Sequence, residues 1–180
     1  MRLWSQPAIS YISQPHFVAN PSRETVPPET VRIMLAEDQP LLTDRLNSLG
    51  QEFPDLEVVG TATTSMAALE MAAELSPDAV LVREKLSDAD GLSVCELIHR
   101  KLPDAAIIVV SDVRTDVAML DVVEAGACGL ISWLATDEDL VLAILRAAEG
   151  ELLMPRSVVL RLFHLGHKLR LQASRQGSEP

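Results

Sequence analysis

The chain has 180 residues, of which 48% are hydrophobic and 23% are charged, as is typical of a globular protein with one sizeable core. The formal net charge is −11, which argues against the chain-wide basic surface that nucleic acid or an anionic membrane requires. No stretch approaches the roughly 18 apolar residues of a membrane span. The first residues also lack the continuous apolar run of a secretion signal, so we expect a cytoplasmic protein.

Charge and composition divide the chain into three regions. Residues 1–30 carry no net charge and hold five of the eleven prolines, which predicts an irregular N-terminal arm. Residues 31–150 contain 8 basic and 22 acidic residues, a net charge of −14, whereas residues 151–180 have a net charge of +3. We therefore expect an acidic central domain, followed by a linker and a mildly basic C-terminal segment.

Short apolar runs alternate with amphipathic segments through the central region. The runs predict strands at residues 31–36, 56–60, 79–82, 105–110 and 129–132. Helical segments follow them, beginning near residues 41, 64, 91, 117 and 137. This alternation predicts parallel βαβ units with helices on both faces of the sheet. Functional side chains of such sheets lie at the carboxyl ends of the strands.

Candidate functional residues follow four of the five strands, and they are Glu37 with Asp38, Arg83, Ser111 and Trp133. The two cysteines, Cys95 and Cys128, lie among apolar or small residues, with neither CxxC spacing nor a histidine at ligand spacing. We therefore expect free thiols and no metal site.

Four short motifs follow one another through the central region. They are Glu37-Asp38-Gln39-Pro40, the sequence PDAVL at residues 77–81, Asp90-Gly91, and the sequence AGACG at residues 125–129. In this order and at this spacing they resemble a response-regulator receiver domain, CheY-like and closest to the NarL/FixJ type. The resemblance covers about residues 31–155. It implies a flavodoxin-like, doubly wound α/β fold with a five-stranded parallel sheet of strand order 2-1-3-4-5, here with an added C-terminal helix.

The resemblance also implies a chemistry, which is phosphoryl transfer to an aspartate at the end of the third strand. In the family an acidic pair holds Mg²⁺, a hydroxyl after the fourth strand bonds the phosphoryl group, and a lysine after the fifth neutralises its charge. Glu37 and Asp38 match the acidic pair and Ser111 matches the hydroxyl, but Arg83 stands at the acceptor position and Trp133 at the lysine position. A guanidinium group does not accept a phosphoryl group. These two departures from the family pattern predict a pseudo-receiver that works without phosphorylation and has no catalytic residue, bound metal or cofactor.

Arg83 is expected to lie near Glu37 and Asp38, because the first and third strands are neighbours in the implied topology. We expect its guanidinium to form a bidentate ion pair with these carboxylates and to take the place of the cation. The alternative is that Arg83 extends into solvent without a partner. Glu84 is the next residue, but strand alternation points it to the other face, so we do not expect it to replace the acceptor.

The fifth strand offers candidate interaction residues. Leu130 replaces the family's switching aromatic residue, and the face around this strand is the usual meeting surface in the family. Trp133 has two interpretations, either a structural residue that fills vacated space or an exposed anchor for a partner.

One more helix is predicted at residues 157–172. An apolar stripe along it recurs at steps of four, three and four residues, and consists of Val158, Leu162, Leu165 and Leu169. This stripe indicates a homodimerisation or partner-binding helix, or a helix folded back on its own domain. Its basic residues leave a DNA-contacting helix as a third interpretation.

The sequence therefore predicts a protein-interaction module in signal transduction or transcriptional control, and not an enzyme. We expect protein partners, with neither direct nucleic-acid binding nor membrane binding. Two alternatives stay open. The first is a DNA-associated transcriptional regulator, and the second is a receiver-fold sensor that binds a small molecule in the former phosphorylation pocket.

Overall fold

Five parallel strands, each followed by a helix, form the computed structural model of the chain, which describes residues 30–112, 115–154, 158–160 and 164. In chain order the elements are β1 (Val31–Ala36), α1 (Leu41–Glu52), β2 (Leu56–Ala62), α2 (Ser65–Leu75), β3 (Ala79–Arg83), α3 (Gly91–Lys101), β4 (Ala106–Val110), α4 (Asp116–Glu124), β5 (Gly129–Ile131) and α5 (Asp137–Ala148). The strand order is β2-β1-β3-β4-β5. The predicted flavodoxin-like fold class and strand order are thus confirmed.

The five strands and five helices predicted for the central region are all present, with small differences at their ends. The strand predicted at residues 56–60 continues to Ala62, because residues 60–62 pair with residues 34–36 of β1 after a shift in register. The N-terminal arm predicted for residues 1–30 lies outside the described residues, apart from Thr30.

Side-chain caps define where four of the five helices begin. In each of them an oxygen of the residue before the helix accepts a backbone N–H of the first turn, and these capping residues are Thr64, Asp90, Thr115 and Thr136. Helix α1 is the exception, because Pro40 precedes its first residue and offers no side-chain cap. Glu37 supplies that function instead, as described below.

The sheet is buried on both faces, and its side chains alternate between two apolar clusters. Ile33 and Leu35 of β1 face the cluster that includes α1 and α5, whereas Met34 and Ala36 face the cluster that includes α2, α3 and α4. Both clusters are largely aliphatic, as the scarcity of aromatic residues predicts. This packing holds the strands rigidly and therefore sets the positions of the residues that follow them.

The chain continues past α5 along the outer edge of β5. Leu153 forms an isolated parallel bridge with Gly129, and residues 158–160 and 164 are helical. Of the stripe predicted for the C-terminal helix, Val158 is described, while Leu162, Leu165 and Leu169 lie outside the described residues. Within the part of the chain that the structure describes, no helix is both long and apolar enough to cross a bilayer.

Candidate functional site

The carboxyl edge of the sheet holds the predicted site residues, because all five strands run in the same direction. Glu37 and Asp38 follow β1, Arg83 is the last residue of β3, Ser111 follows β4 and Trp133 lies two residues after β5. Their side chains take part in separate sets of contacts.

Arg83 forms the centre of the first set. Its Nη1 donates to Oδ1 of Asp38 at 2.7 Å, and each of the two side chains is 26% exposed. The guanidinium carbon also lies 5.1 Å from the centroid of the Trp133 ring, within the range of a cation–π contact. The predicted ion pair is therefore present for Asp38, and the alternative of a solvent-extended Arg83 is wrong.

The expected bidentate pairing of Arg83 with both acids is also wrong, because Glu37 has other partners. Its carboxylate is 1% exposed and accepts the backbone N–H groups of Leu42, at 3.1 Å, and Thr43, at 2.7 Å. The Thr43 hydroxyl donates to the same carboxylate at 2.5 Å. These donors belong to the first turn of α1, where the helix dipole favours a negative charge. Glu37 thus acts as the cap that Pro40 does not provide.

Ser111 belongs to a second set, which the sequence did not reveal. Its hydroxyl is buried and donates to Oε2 of Glu84 in a short hydrogen bond. The backbone N–H of Glu84 donates to the Val110 carbonyl at 3.1 Å and keeps the two loops together. Strand alternation predicts that Glu84 points to the other face from Arg83. Its contact with Ser111, a predicted site residue, shows that Glu84 nevertheless reaches the site.

Trp133 lies on a loop that is hydrogen-bonded to Arg45 of α1. It is half-buried and packs against the apolar cluster of α1 and α5. Arg45 donates to the carbonyl oxygens of Trp133 at 3.3 Å and Ala135 at 2.7 Å, and pairs with Asp137 at 2.6 Å. The placement of Trp133 agrees with its structural interpretation. Leu134, the next residue of this loop, is 74% exposed.

The other candidate interaction residues within the described part of the chain are buried. Leu130 is 9% exposed and Val158 is fully buried, and both belong to the cluster on the α4 side of the sheet. In this conformation neither side chain is available to a partner. For Val158 this placement agrees with the interpretation of a segment folded back on its own domain.

Two titratable groups of the described residues, Asp88 and Cys95, have shifted pKa values. Hydrogen bonds from the side chain and backbone of Ser65 lower the pKa of the Asp88 carboxyl below its usual 3.8. Asp88 thereby links the loop after β3 to the start of α2. On the same side of the sheet, burial in the apolar cluster raises the pKa of the Cys95 thiol to about 12, with a smaller contribution from Cys128.

The arrangement does not fit the divalent cation that the resemblance implies. One oxygen of Asp38 is paired with Arg83, and both oxygens of Glu37 accept hydrogen bonds from α1. The guanidinium places a positive charge where a cation would need a third oxygen ligand. No group of three or more His, Cys, Asp or Glu side chains suited to a metal ion occurs among the described residues.

Comparison with known proteins shows the family of the chain. The sequence profile of the Response regulator receiver domain matches residues 33–145. The transcriptional regulatory protein LiaR of Bacillus subtilis strain 168 is 31% identical over 121 residues, which cover 67% of this chain and 57% of LiaR. The nitrate/nitrite response regulator protein NarL of Escherichia coli K12 is 28% identical over 130 residues, which cover 72% of this chain and 60% of NarL.

Solved structures agree with this assignment. The signal receiver domain of NarL from Mycobacterium tuberculosis superimposes with a TM-score of 0.63 at 27% identity, and the match covers 68% of this chain and 99% of that domain. A LuxR-family response regulator from Aurantimonas sp. SI85-9A1 gives a TM-score of 0.62 at 27% identity, covering 67% of this chain and 86% of that one. The chain spans about three fifths of the length of the curated relatives it matches. Because the profile covers more than half of its length, the chain belongs to the family of response regulator receiver domains, which act in two-component signalling.

Proposed function

We propose that this chain is a pseudo-receiver, a receiver domain that acts through protein contacts and without phosphorylation. The observation that carries the proposal is the position of Arg83, which ends β3 and pairs with Asp38 at 2.7 Å. An arginine in this place offers no oxygen to a phosphoryl donor. Its charge also satisfies Asp38, which a receiver would use for the cation.

The contacts of Ser111 support the same proposal. The hydroxyl that would bond an incoming phosphoryl group already donates to the Glu84 carboxylate. A carboxylate and a phosphoryl group are both anionic acceptors of hydrogen bonds. Glu84 therefore competes for the group that would report phosphorylation, and we expect the site to keep one conformation.

The loop after β5 supports an interaction role. Leu134 is 74% exposed, although hydrogen bonds from Arg45 hold the backbone carbonyls of the residues directly before and after it. A loop that is already ordered by hydrogen bonds loses little conformational entropy when its apolar side chain binds a partner, which favours the use of that side chain as an anchor. We propose that Leu134, with the exposed part of Trp133, contacts protein partners of a signalling or transcription pathway.

Exposure to a phosphodonor tests the absence of phosphorylation. The full chain and the Arg83→Asp variant are incubated with acetyl phosphate and Mg²⁺, and the intact mass of each is measured. We expect the wild-type mass to be unchanged and Arg83→Asp to gain the mass of one phosphoryl group. A phosphoryl adduct on the wild-type chain at Glu37, Asp38 or Glu84 would contradict the proposal.

Metal binding provides an independent measurement on the same proteins. Millimolar Mg²⁺ should leave the melting temperature of the wild-type chain unchanged and raise that of Arg83→Asp, because a ligand stabilises only the state that binds it. An equal rise in the melting temperature of the wild-type chain would show that the Arg83–Asp38 pair does not replace the cation.

Recovery of partners tests the interaction role. Pull-downs are made with the wild-type chain, Trp133→Ala and Leu134→Ala. Each variant should recover fewer partner proteins than the wild-type chain does. Leu97→Ala is a matched control, because Leu97 is also exposed but lies on α3. Equal recovery by all four proteins would refute the role of this loop.

DNA-linked transcriptional control is a second candidate function, and the names of the relatives favour it. Among them is the DNA-binding transcriptional activator DevR/DosR of Mycobacterium tuberculosis, 29% identical over 101 residues that cover 56% of this chain and 46% of that protein. A shift of duplex DNA that weakens as salt rises would support direct binding. If the full chain leaves duplex DNA unshifted at low salt, direct binding is refuted.

A further inference from the structure

The end of the sheet opposite the Arg83 site contains a cavity of about 270 Å³. It lies where β4 and β5 begin, and its lining includes Ala106 of β4 and Cys128, which directly precedes β5. The last turns of three helices also line it, through His99 of α3, Val123 of α4 and Ala147 of α5. The cavity is therefore built from parts of the fold that the Arg83 site does not use.

The loop between α4 and β5 shapes one wall of this cavity. Gly126 of the loop has a φ of +84°, and a Cβ atom added there would lie 2.4 Å from Cγ and 2.5 Å from Cδ2 of the His99 ring. The loop thus packs directly against the imidazole, which a residue with a side chain would not permit. The flat His99 ring forms a wall against which a planar ligand can pack.

Most backbone N–H groups around the cavity are already used within the chain. Those that donate to carbonyl oxygens of the protein, at 2.8–3.2 Å, belong to Ala105, Ala106, Gly126, Ala127, Cys128 and Gly150. The Cys128 thiol likewise donates to the Ile107 carbonyl at 3.0 Å. Proteins bind phosphate and carboxylate groups through N–H groups that are not yet paired. These six N–H groups therefore offer nothing to an anionic ligand.

The electrostatics of this end of the sheet favour a positive charge. Helices α3, α4 and α5 all end at the cavity, and the C-terminus of a helix carries a partial negative charge. Asp104, in the loop between α3 and β4, adds an exposed carboxylate to the lining. The nearby basic side chains do not cancel this charge within the cavity. Arg100 and Lys101 are exposed and lie outside the lining, and Arg146 pairs with Glu151 at 3.6 Å.

We propose that this cavity binds a compact organic cation that carries a planar amidinium or guanidinium group. Such a group donates several hydrogen bonds and accepts none, which matches a lining that offers carbonyl and carboxylate oxygens. The volume lies just below the roughly 300–1,000 Å³ of pockets for drug-sized ligands, so it suits a compact molecule. Gly150 and Leu152 also line the cavity, so the bound cation would contact the segment after α5 as well as the domain. The site is independent of the proposed function, because it lies at the opposite end of the sheet.

Titration of the full chain with three probes of nearly the same shape tests the site. The probes are benzamidine, which is positively charged, benzamide, which is neutral, and benzoate, which is negatively charged. The amide resonances of Gly126, Cys128 and Gly150 are followed by NMR as each probe is added. We expect saturable shifts with benzamidine at millimolar concentrations, affinity on the order of tenfold weaker for benzamide, and no saturable shifts with benzoate.

Two variants locate the binding in the cavity. Asp104→Asn removes the carboxylate of the lining and should weaken benzamidine binding by about threefold to fivefold. Val123→Phe fills the cavity from α4 and should abolish saturable binding.

Two matched controls should bind benzamidine as the wild-type chain does. Asp55→Asn removes an exposed carboxylate just before β2, and Val58→Phe enlarges a half-buried side chain of β2. Circular dichroism reports whether each variant retains its helices and strands, and Asp104→Asn decides the outcome if Val123→Phe does not fold. The proposal is overturned if benzamidine gives no saturable shifts, if benzoate binds equally well, or if Asp104→Asn or folded Val123→Phe retains wild-type affinity.

Discussion

The contacts of Arg83 lead to a prediction whose size can be worked out from the structure. Replacing Arg83 with Met removes an ion pair of 2.7 Å and a cation–π contact of 5.1 Å. Both partners of the ion pair are 26% exposed, so solvent screens the pair and it should contribute about 0.5–1 kcal/mol. The contact with Trp133 should contribute about another 0.5–1 kcal/mol. We expect the free energy of unfolding to fall by about 1–2 kcal/mol.

Urea unfolding followed by circular dichroism measures this change, and a double-mutant cycle assigns it. Arg83→Met combined with Asp38→Asn should give a coupling energy of about 0.5–1 kcal/mol. That coupling should shrink in about 1 M NaCl, where the screening length falls to about 3 Å. Arg83→Lys is the matched control, because it keeps the charge but loses the planar group that stacks on Trp133.

The two contacts of Arg83 should respond differently to the lysine substitution. Arg83→Lys should retain part of the coupling to Asp38 and lose most of the coupling to Trp133. A coupling energy to Asp38 near zero at low salt, or an Arg83→Met chain as stable as the wild type, would show that the pair contributes nothing to the fold and would remove the reason for expecting a locked site.

Three further predictions concern contacts elsewhere in the chain. Ser65 lowers the pKa of Asp88, so the ionised Asp88 stabilises the fold above the ordinary carboxyl pKa of 3.8, and this stabilisation is lost as the pH falls below that value. Ser65→Ala should therefore flatten the pH dependence of the free energy of unfolding in that range. Arg45→Met should lower the free energy of unfolding by about 1–3 kcal/mol, because it removes the hydrogen bonds to the loop carbonyls as well as the ion pair. Asp137→Asn should lower it by less than about 1 kcal/mol, since that carboxylate is 54% exposed. Equal losses for the two variants in urea unfolding would show that the carbonyl hydrogen bonds add nothing to the ion pair. With a pKa of about 12, the Cys95 thiol should resist iodoacetamide at about pH 8 until the chain unfolds, and peptide mass spectrometry that finds rapid native labelling at Cys95 would refute its burial.

The fold was predictable because its signals are local. Apolar runs of the length of a strand, Asp90 before α3 and the threonines before α2, α4 and α5 lie within a few residues of the elements they define. Where the prediction was short, at the end of β2, the extra residues are strand because β1 pairs with them. That pairing depends on two segments about 25 residues apart rather than on local composition.

The candidate site was predictable only in part. The parallel order of the strands brings Arg83 towards Asp38, so their ion pair followed from the topology. The partners of Glu37 could not be inferred, because the N-terminus of α1 competes with Arg83 for the same carboxylate and satisfies it more completely. The bond between Ser111 and Glu84 could not be inferred for a related reason, since strand alternation separates Glu84 from Arg83 but does not indicate which side chain Glu84 contacts.

The sequence by itself determined the α/β architecture, the strand order implied by its motifs and the presence of a basic residue where an acidic one is expected. The architecture follows from the periodicity of the chain, the strand order is implied by the resemblance that the four motifs carry, and the third feature is the identity of Arg83. Only the tertiary structure decided how the charges are paired, how Arg45 holds a loop about 90 residues away, and that the segment after α5 lies beside β5. Each of these groups has several potential partners nearby, and which partner it contacts depends on distances that exist only once the chain has folded.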